Sequence, residues 1–213
     1  ADGGEPTWRD FVQPMEDANE RLHRAWGVVG HLNAVMNSPE LREVYNANLP
    51  KVTQYYTQLG QHEGLHAKFK ALRAGAAFPG LTPAQKKIVE NELRDFRLGG
   101  AELSPEKKAR YKEISERLSQ LSSSFSDNLL DATNAYAHYA GEPKLSGIPA
   151  EVVAAAREAA QADGKPGWKF TLHAPSYLPV MQYADHRGLR ERFYRAYVTR
   201  ASEFGKPEWD NTP

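Results

Sequence analysis

Two histidines and a glutamate stand in the stretch QHEGLHAKF, where His62, Glu63 and His66 spell His-Glu-x-x-His. Side chains four apart on a helix share a face, so two imidazoles at this spacing can hold one zinc ion while the glutamate between them serves as general base. A catalytic zinc needs a third protein ligand as well. If the segment is the first arm of a helical hairpin turning through residues 75–82, Glu90 or Glu92 on the return arm would face His66. The candidate constellation is therefore His62, His66 and Glu90 or Glu92 as ligands with Glu63 as base, the site of a self-contained zinc hydrolase.

The helical wheel argues against it. Leu65, Phe69 and Leu72 define the buried stripe, His62 flanks it and His66 sits at its outer edge. On the return arm Val89, Leu93 and Phe96 face inward, which turns Glu90 sideways and leaves only Glu92 near the interface. No strand lies beside the hairpin to hold an extended peptide. HEGLH is accordingly read as a coincidence of letters, and no catalytic, cofactor-binding or metal-binding residue is assigned in this chain.

The elements that position these residues read as helices almost throughout. A first helix spans about Pro14 to Gly30, and a second opens with Ser38 as cap and Pro39 in its first turn, with a kink expected at Pro50. The third carries HEGLH and ends near Gly75, and the fourth runs from the cap at Thr82 to Gly99-Gly100. A long fifth helix begins at Ser104-Pro105, with Tyr111, Ile114, Leu118, Leu121, Phe125, Leu129 and Ala132 alternating in steps of three and four. This seam is expected to pack inside the chain, the competing reading being a coiled-coil homodimer around Leu118 and Phe125. AYAHYA and WKFTL alternate as two short strands around an alanine-rich helix near 150–161, and helices return at Ser176–Ala184 and about Gly188–Ala201. The expected fold is mainly α, a multi-helix bundle with kinked and long amphipathic helices and a small two-stranded β element near 135–172.

Composition narrows the function classes. Lysine plus arginine equals aspartate plus glutamate at 27 each, so no global field draws the chain to nucleic acid or an anionic membrane. The arginines Arg187, Arg190, Arg192, Arg195 and Arg200 are interleaved with Asp185, Glu191 and Glu203, the pattern of a solvated face. With no cysteine, thiolate zinc sites, disulfides and cysteine nucleophiles are excluded, and cytoplasm is the expected compartment. No apolar run approaches the roughly 18 residues of a membrane span. The serines of LSSSFSD lie within the long helix without a strand-turn-helix elbow and read as a small-residue packing face. A start at Ala1 and a stop at WDNTP suggest a fragment.

Long ordered stretches carry a resemblance: HLNAVMNSPELREVYNANLP, GQHEGLHAKFKALRAG, TPAQKKIVENELRDFRLGG, LSPEKKARYKEISERLSQLSSSFSDNLLDAT and APSYLPVMQYADHRGLRERFYRAYVTRAS, closing on WDNTP. Together they span nearly the whole chain and resemble the N-terminal part of the M3 metallopeptidases of the oligopeptidase A, thimet oligopeptidase and neurolysin kind. The resemblance implies a two-lobed, mostly helical zinc enzyme that cleaves short peptides in a deep channel. Its catalytic motif reads HEFGH and belongs to the C-terminal lobe, and nothing in this chain matches it in that context. Residues 1–213 would then be the N-terminal helical lobe, a wall of the substrate channel whose partner is the C-terminal catalytic lobe. Zinc is implied for the full-length parent and not for this portion, which by itself is expected to be inactive.

Overall fold

The computed structural model describes residues 5–212. The chain divides into two compact units, one up to Leu121 and one from Ser122 onward. Among the described residues there are eight α-helices and one two-stranded sheet, the mainly helical architecture that the periodicity predicts.

In the first unit a π-helical turn at Trp8–Val12 leads into α1 (Gln13–Val35), followed by α2 (Pro39–Gly60), α3 (Glu63–Ala74) and α4 (Pro83–Gly99). The start of α5 (Pro105–Ala135) belongs to this unit as well. Helix starts follow local chemistry: the Ser38 hydroxyl accepts from the Leu41 N–H, and Thr82 with Gln85 forms a reciprocal capping box. Gly100, at φ 97°, ends α4 in the left-handed region where a side chain would be strained. α1 is longer than its apolar stripe suggests at both ends, and α2 runs through Pro50 as one helix although proline has no N–H to give the preceding turn.

The core of this unit joins Val12, Phe69, Leu72, Phe78, Val89 and Phe96, so that α3 and α4 close against each other and against the π-helical turn. α2 and α4 approach through two glycines: a Cβ on Gly99 would stand 3.1 Å from the Gly60 Cα. α1 meets α2 through Trp26 stacked on Tyr45, ring centroids 4.9 Å apart. No residue of α1 is buried, and Val28, Leu32, Val35 and Met36 lie along it at 41–70% exposure.

The second unit takes the end of α5 and adds β1 (His138–Ala140), α6 (Ala150–Ala162), β2 (Trp168–Phe170), α7 (Ala174–Tyr183) and α8 (Arg187–Val198). The strands pair antiparallel, with His138 opposite Phe170, Tyr139 opposite Lys169 and Ala140 opposite Trp168. Both fall inside the segments whose alternation marks them as strands, though each is only three residues long. Ile148, Ala156, Phe170, Leu172, Val180, Leu189 and Phe193 form the core beneath them.

One expectation holds only in part. The middle of the α5 seam is uncovered, with Ile114, Leu118, Leu121 and Phe125 44%, 57%, 44% and 53% exposed, while Tyr111, Leu129 and Ala132 towards its ends are half-buried and no residue of α5 is fully buried. Periodicity fixes which side of a helix is apolar and carries no information about what covers it. Among the described residues no helix is long and apolar enough to cross a membrane.

Candidate functional site

The HEGLH constellation is built at the N-terminus of α3, and the helix begins one residue later than the zinc arrangement needs. His62 is not on the helix but caps it in extended backbone, its Nδ1 accepting the Leu65 N–H at 3.2 Å. A neutral imidazole that accepts at Nδ1 carries its proton on Nε2, so neither ring nitrogen of His62 offers a free lone pair to a metal.

Glu63 occupies the first helical position and is exposed; it accepts a hydrogen bond from Lys108 Nζ. That hydrogen bond, and then the lysine charge, hold its carboxyl below the ordinary glutamate value. A carboxylate neutralised in this way is a poor general base.

His66 is buried, at 5% exposure, where the wheel puts it at the outer edge of the stripe. Its ring stacks on Phe96 of α4 with centroids 5.6 Å apart, so the return arm widens the buried face beyond Leu65, Phe69 and Leu72. Burial and then the nearby Lys70 push its pKa down, against a smaller upward pull from Glu102. The Glu102 carboxylate lies 3.9 Å from His66 Nε2 but takes its hydrogen bond from Lys70 Nζ at 2.7 Å.

Neither candidate third ligand completes the set. Glu90 is exposed and pairs with Arg73 at 3.8 Å. Glu92 is part-buried; burial first, then the charges of Glu16 and Asp95, raise its pKa to about 7 against a smaller opposing pull from Arg94. Its electrostatic neighbours thus belong to α1 and α4 rather than to the histidines. Among the described residues no group of three or more histidine, aspartate or glutamate side chains could hold a metal ion. The donor set does not fit zinc.

Two partners escape any local reading of the sequence, Lys108 beside Glu63 and Glu102 beside His66, at separations of 45 and 36 residues. Of the five interleaved arginines, Arg187, Arg192 and Arg195 are exposed as expected, with Arg195 paired to Glu191 at 2.9 Å, whereas Arg190 and Arg200 are half-buried and donate to the Ala184 and Tyr197 carbonyls.

Comparison with known proteins then bears on the whole chain. A family model described as Neurolysin/Thimet oligopeptidase, N-terminal domain, matches residues 2–108. The chain is similar to proteins named Oligopeptidase A: 50% identical to that of Haemophilus influenzae over 97% of this chain and 31% of the relative. It is 46% identical to those of Salmonella typhimurium and Escherichia coli, over 100% of this chain and 32% of each relative. The chain therefore spans about a third of the length of the relatives it matches. By this match, and by the helical fold that carries it, the chain belongs to the neurolysin/thimet oligopeptidase family and corresponds to an N-terminal portion of its members.

Proposed function

We propose that residues 1–213 form the N-terminal lobe of a zinc-dependent oligopeptidase and act as one wall of a channel that admits short, unfolded peptides. The catalytic groups and the zinc are assigned to a partner, the C-terminal lobe of the same protein, and none to these residues. Cytoplasm is the proposed compartment, in keeping with a cysteine-free chain.

The observation that carries this reading is the commitment of His62, Glu63 and His66 to capping, ion pairing and packing, in a chain similar to a third of proteins named oligopeptidase. The exposed apolar line along α1 supports it, since a row of 41–70% exposed Val28, Leu32, Val35 and Met36 is more readily explained as a face that another part of a protein covers.

The test is hydrolysis of a short quenched fluorescent peptide by this chain alone. No chelator-sensitive cleavage is expected, and dialysis against a weak chelator should leave no stoichiometric zinc. Cleavage abolished both by chelator and by Glu63→Ala, with one zinc per chain lost in His62→Ala, would overturn the proposal and restore the self-contained hydrolase.

A second reading, a helical interaction module that self-associates, is favoured by the exposed seam at Ile114, Leu118, Leu121 and Phe125. Light scattering over a concentration series decides it: an association lost in Leu118→Glu supports a dimer through α5, and a concentration-independent monomer removes it.

A further inference from the structure

The second unit contains a cavity of about 290 Å³ that shares no residue with the HEGLH constellation. Its volume lies just below the range for drug-sized small-molecule sites, about 300–1,000 Å³, which suits a ligand of one side chain's size. Ala132 and Ala135 of α5 and Ala196 of α8 line it on its apolar side, together with the aromatic side chains of Tyr136 and Trp209 and the largely exposed Phe204. Two of the lining side chains are charged, Arg200 and Lys206, and both are positive.

The segment that borders the cavity is tied back to α5. Ala201 adopts φ 53°, the left-handed region that reverses the chain, and the Asn211 N–H donates back to the Ala201 carbonyl at 3.1 Å. The Asn211 side chain then accepts from Asn128 at 2.9 Å and donates to the Phe125 carbonyl at 3.2 Å, fastening the segment to α5. A non-glycine residue is kept at positive φ only where its surroundings over-determine it.

Arg200 is equally fixed. Its guanidinium lies 3.6 Å from the Tyr197 ring centroid, Tyr197 stacks on Tyr177 at 4.2 Å, and Nη1 donates to the Tyr197 carbonyl at 2.6 Å. That acceptor is neutral and leaves the charge uncompensated, while the buried Nε has no acceptor. Lys206 adds a second cation, its ammonium 4.5 Å from the Trp209 ring centroid and loosely paired with the exposed Glu208 carboxylate at 3.8 Å, which an incoming carboxylate would replace. A planar guanidinium immobilised by stacking beside an apolar chamber is suited to a carboxylate, and the chamber to a large apolar group attached to it.

We propose that this cavity binds a carboxylate carried on an aromatic or similarly bulky apolar group, with the carboxylate between Arg200 and Lys206 and the apolar group against the alanines beside Trp209. The C-terminal residue of a peptide and a free aromatic acid share this chemistry, and the volume admits one such group rather than a folded segment.

Isothermal titration of the 213-residue chain with N-acetyl-phenylalanine, its amide, 3-phenylpropanoate and Gly-Gly-Phe tests the proposal. The acid should bind at least about tenfold more tightly than the amide, and Lys206→Gln should weaken it by about fivefold or more, because a hydrogen bond to a charged group is lost in each case. Ala196→Leu, which fills the chamber, should abolish binding of the acid. Gly-Gly-Phe binding more tightly than 3-phenylpropanoate supports the proposal with peptide C-termini as the source of the ligand, and the reverse order supports it with free acids. Lys206 is an exposed residue whose substitution leaves the core untouched. Equal affinity for acid and amide, unchanged affinity in folded Lys206→Gln, or no binding of any acid at about 10 mM overturns it.

Discussion

The imidazole of His66 lies nearly parallel to the ring of Phe96 and displaced from it, centroids 5.6 Å apart and planes within 18°. One of the three residues of the apparent zinc motif is thus a core contact between α3 and α4, with Phe69 tilted against the same Phe96 ring at 5.6 Å.

Substituting His66 should therefore damage folding without touching metal content. His66→Ala removes a side chain only 5% exposed and is expected to cost about 2–3 kcal/mol. His66→Phe, which keeps the stack, should cost less. Urea denaturation followed by circular dichroism ranks the variants, and zinc content should be the same in all of them. Equal stability of His66→Ala and the parent would mean that the stack contributes nothing.

Glu92 carries a pH dependence of known sign. Its pKa is raised to about 7, foremost by burial, so the stability associated with its neutral form is present below the ordinary glutamate value and lost as pH rises through about 7. Glu92→Gln should stabilise the first unit at pH 8 and change little at pH 4. The side chain keeps part of its surface in water, which limits the gain to about 1 kcal/mol. Amide hydrogen exchange along α4 at the two pH values measures it, and a variant no more stable than the parent at pH 8 contradicts the assignment.

His138 has the opposite sign. Burial, then Arg192 and Lys144, lower its pKa, and its Nε2 is enclosed without a partner. Stability is then complete above the ordinary histidine value of about 6.5 and declines as pH falls below it, when only the unfolded chain takes up the proton. The melting temperature of the second unit should fall between pH 7.5 and 5.5. In His138→Leu that drop should shrink, and an identical drop in the variant would assign it to other groups.

Gly147 has no room for a side chain. At φ 85° an added Cβ would stand 2.1 Å from the Tyr183 carbonyl oxygen, between the start of α6 and the end of α7. Gly147→Ala should destabilise the second unit by about 3 kcal/mol or more through positive φ and backbone clash together. Thermal melting reads this directly, and a loss below about 1 kcal/mol would mean that the loop moves aside freely.

Much of this molecule is legible in its amino-acid sequence. Ser38, Thr82 with Gln85, and Gly100 mark helix ends because capping bonds connect residues three or four apart, and such bonds are written locally. The alternation in AYAHYA and WKFTL marks the two short strands, because side chains two apart on a strand share a face and that pattern is also local. The misfit of HEGLH is legible too, in the misdirection of Glu90 on the wheel. Hidden are Lys108 beside Glu63 and Glu102 beside His66, since nothing in a five-residue motif names a partner 45 or 36 positions away.

The family and the helical composition follow from the order of residues alone, because caps, stripes and long matched segments are properties of the chain as a string. Whether a given stripe is buried does not follow from it. The seam of α5 and the face of α3 have similar periodicity, yet Leu118 is 57% exposed and Phe69 is fully buried. Burial depends on which surfaces distant segments bring to each helix, and the same non-local packing turned His66 into core and gathered Arg200 and Lys206 around one cavity.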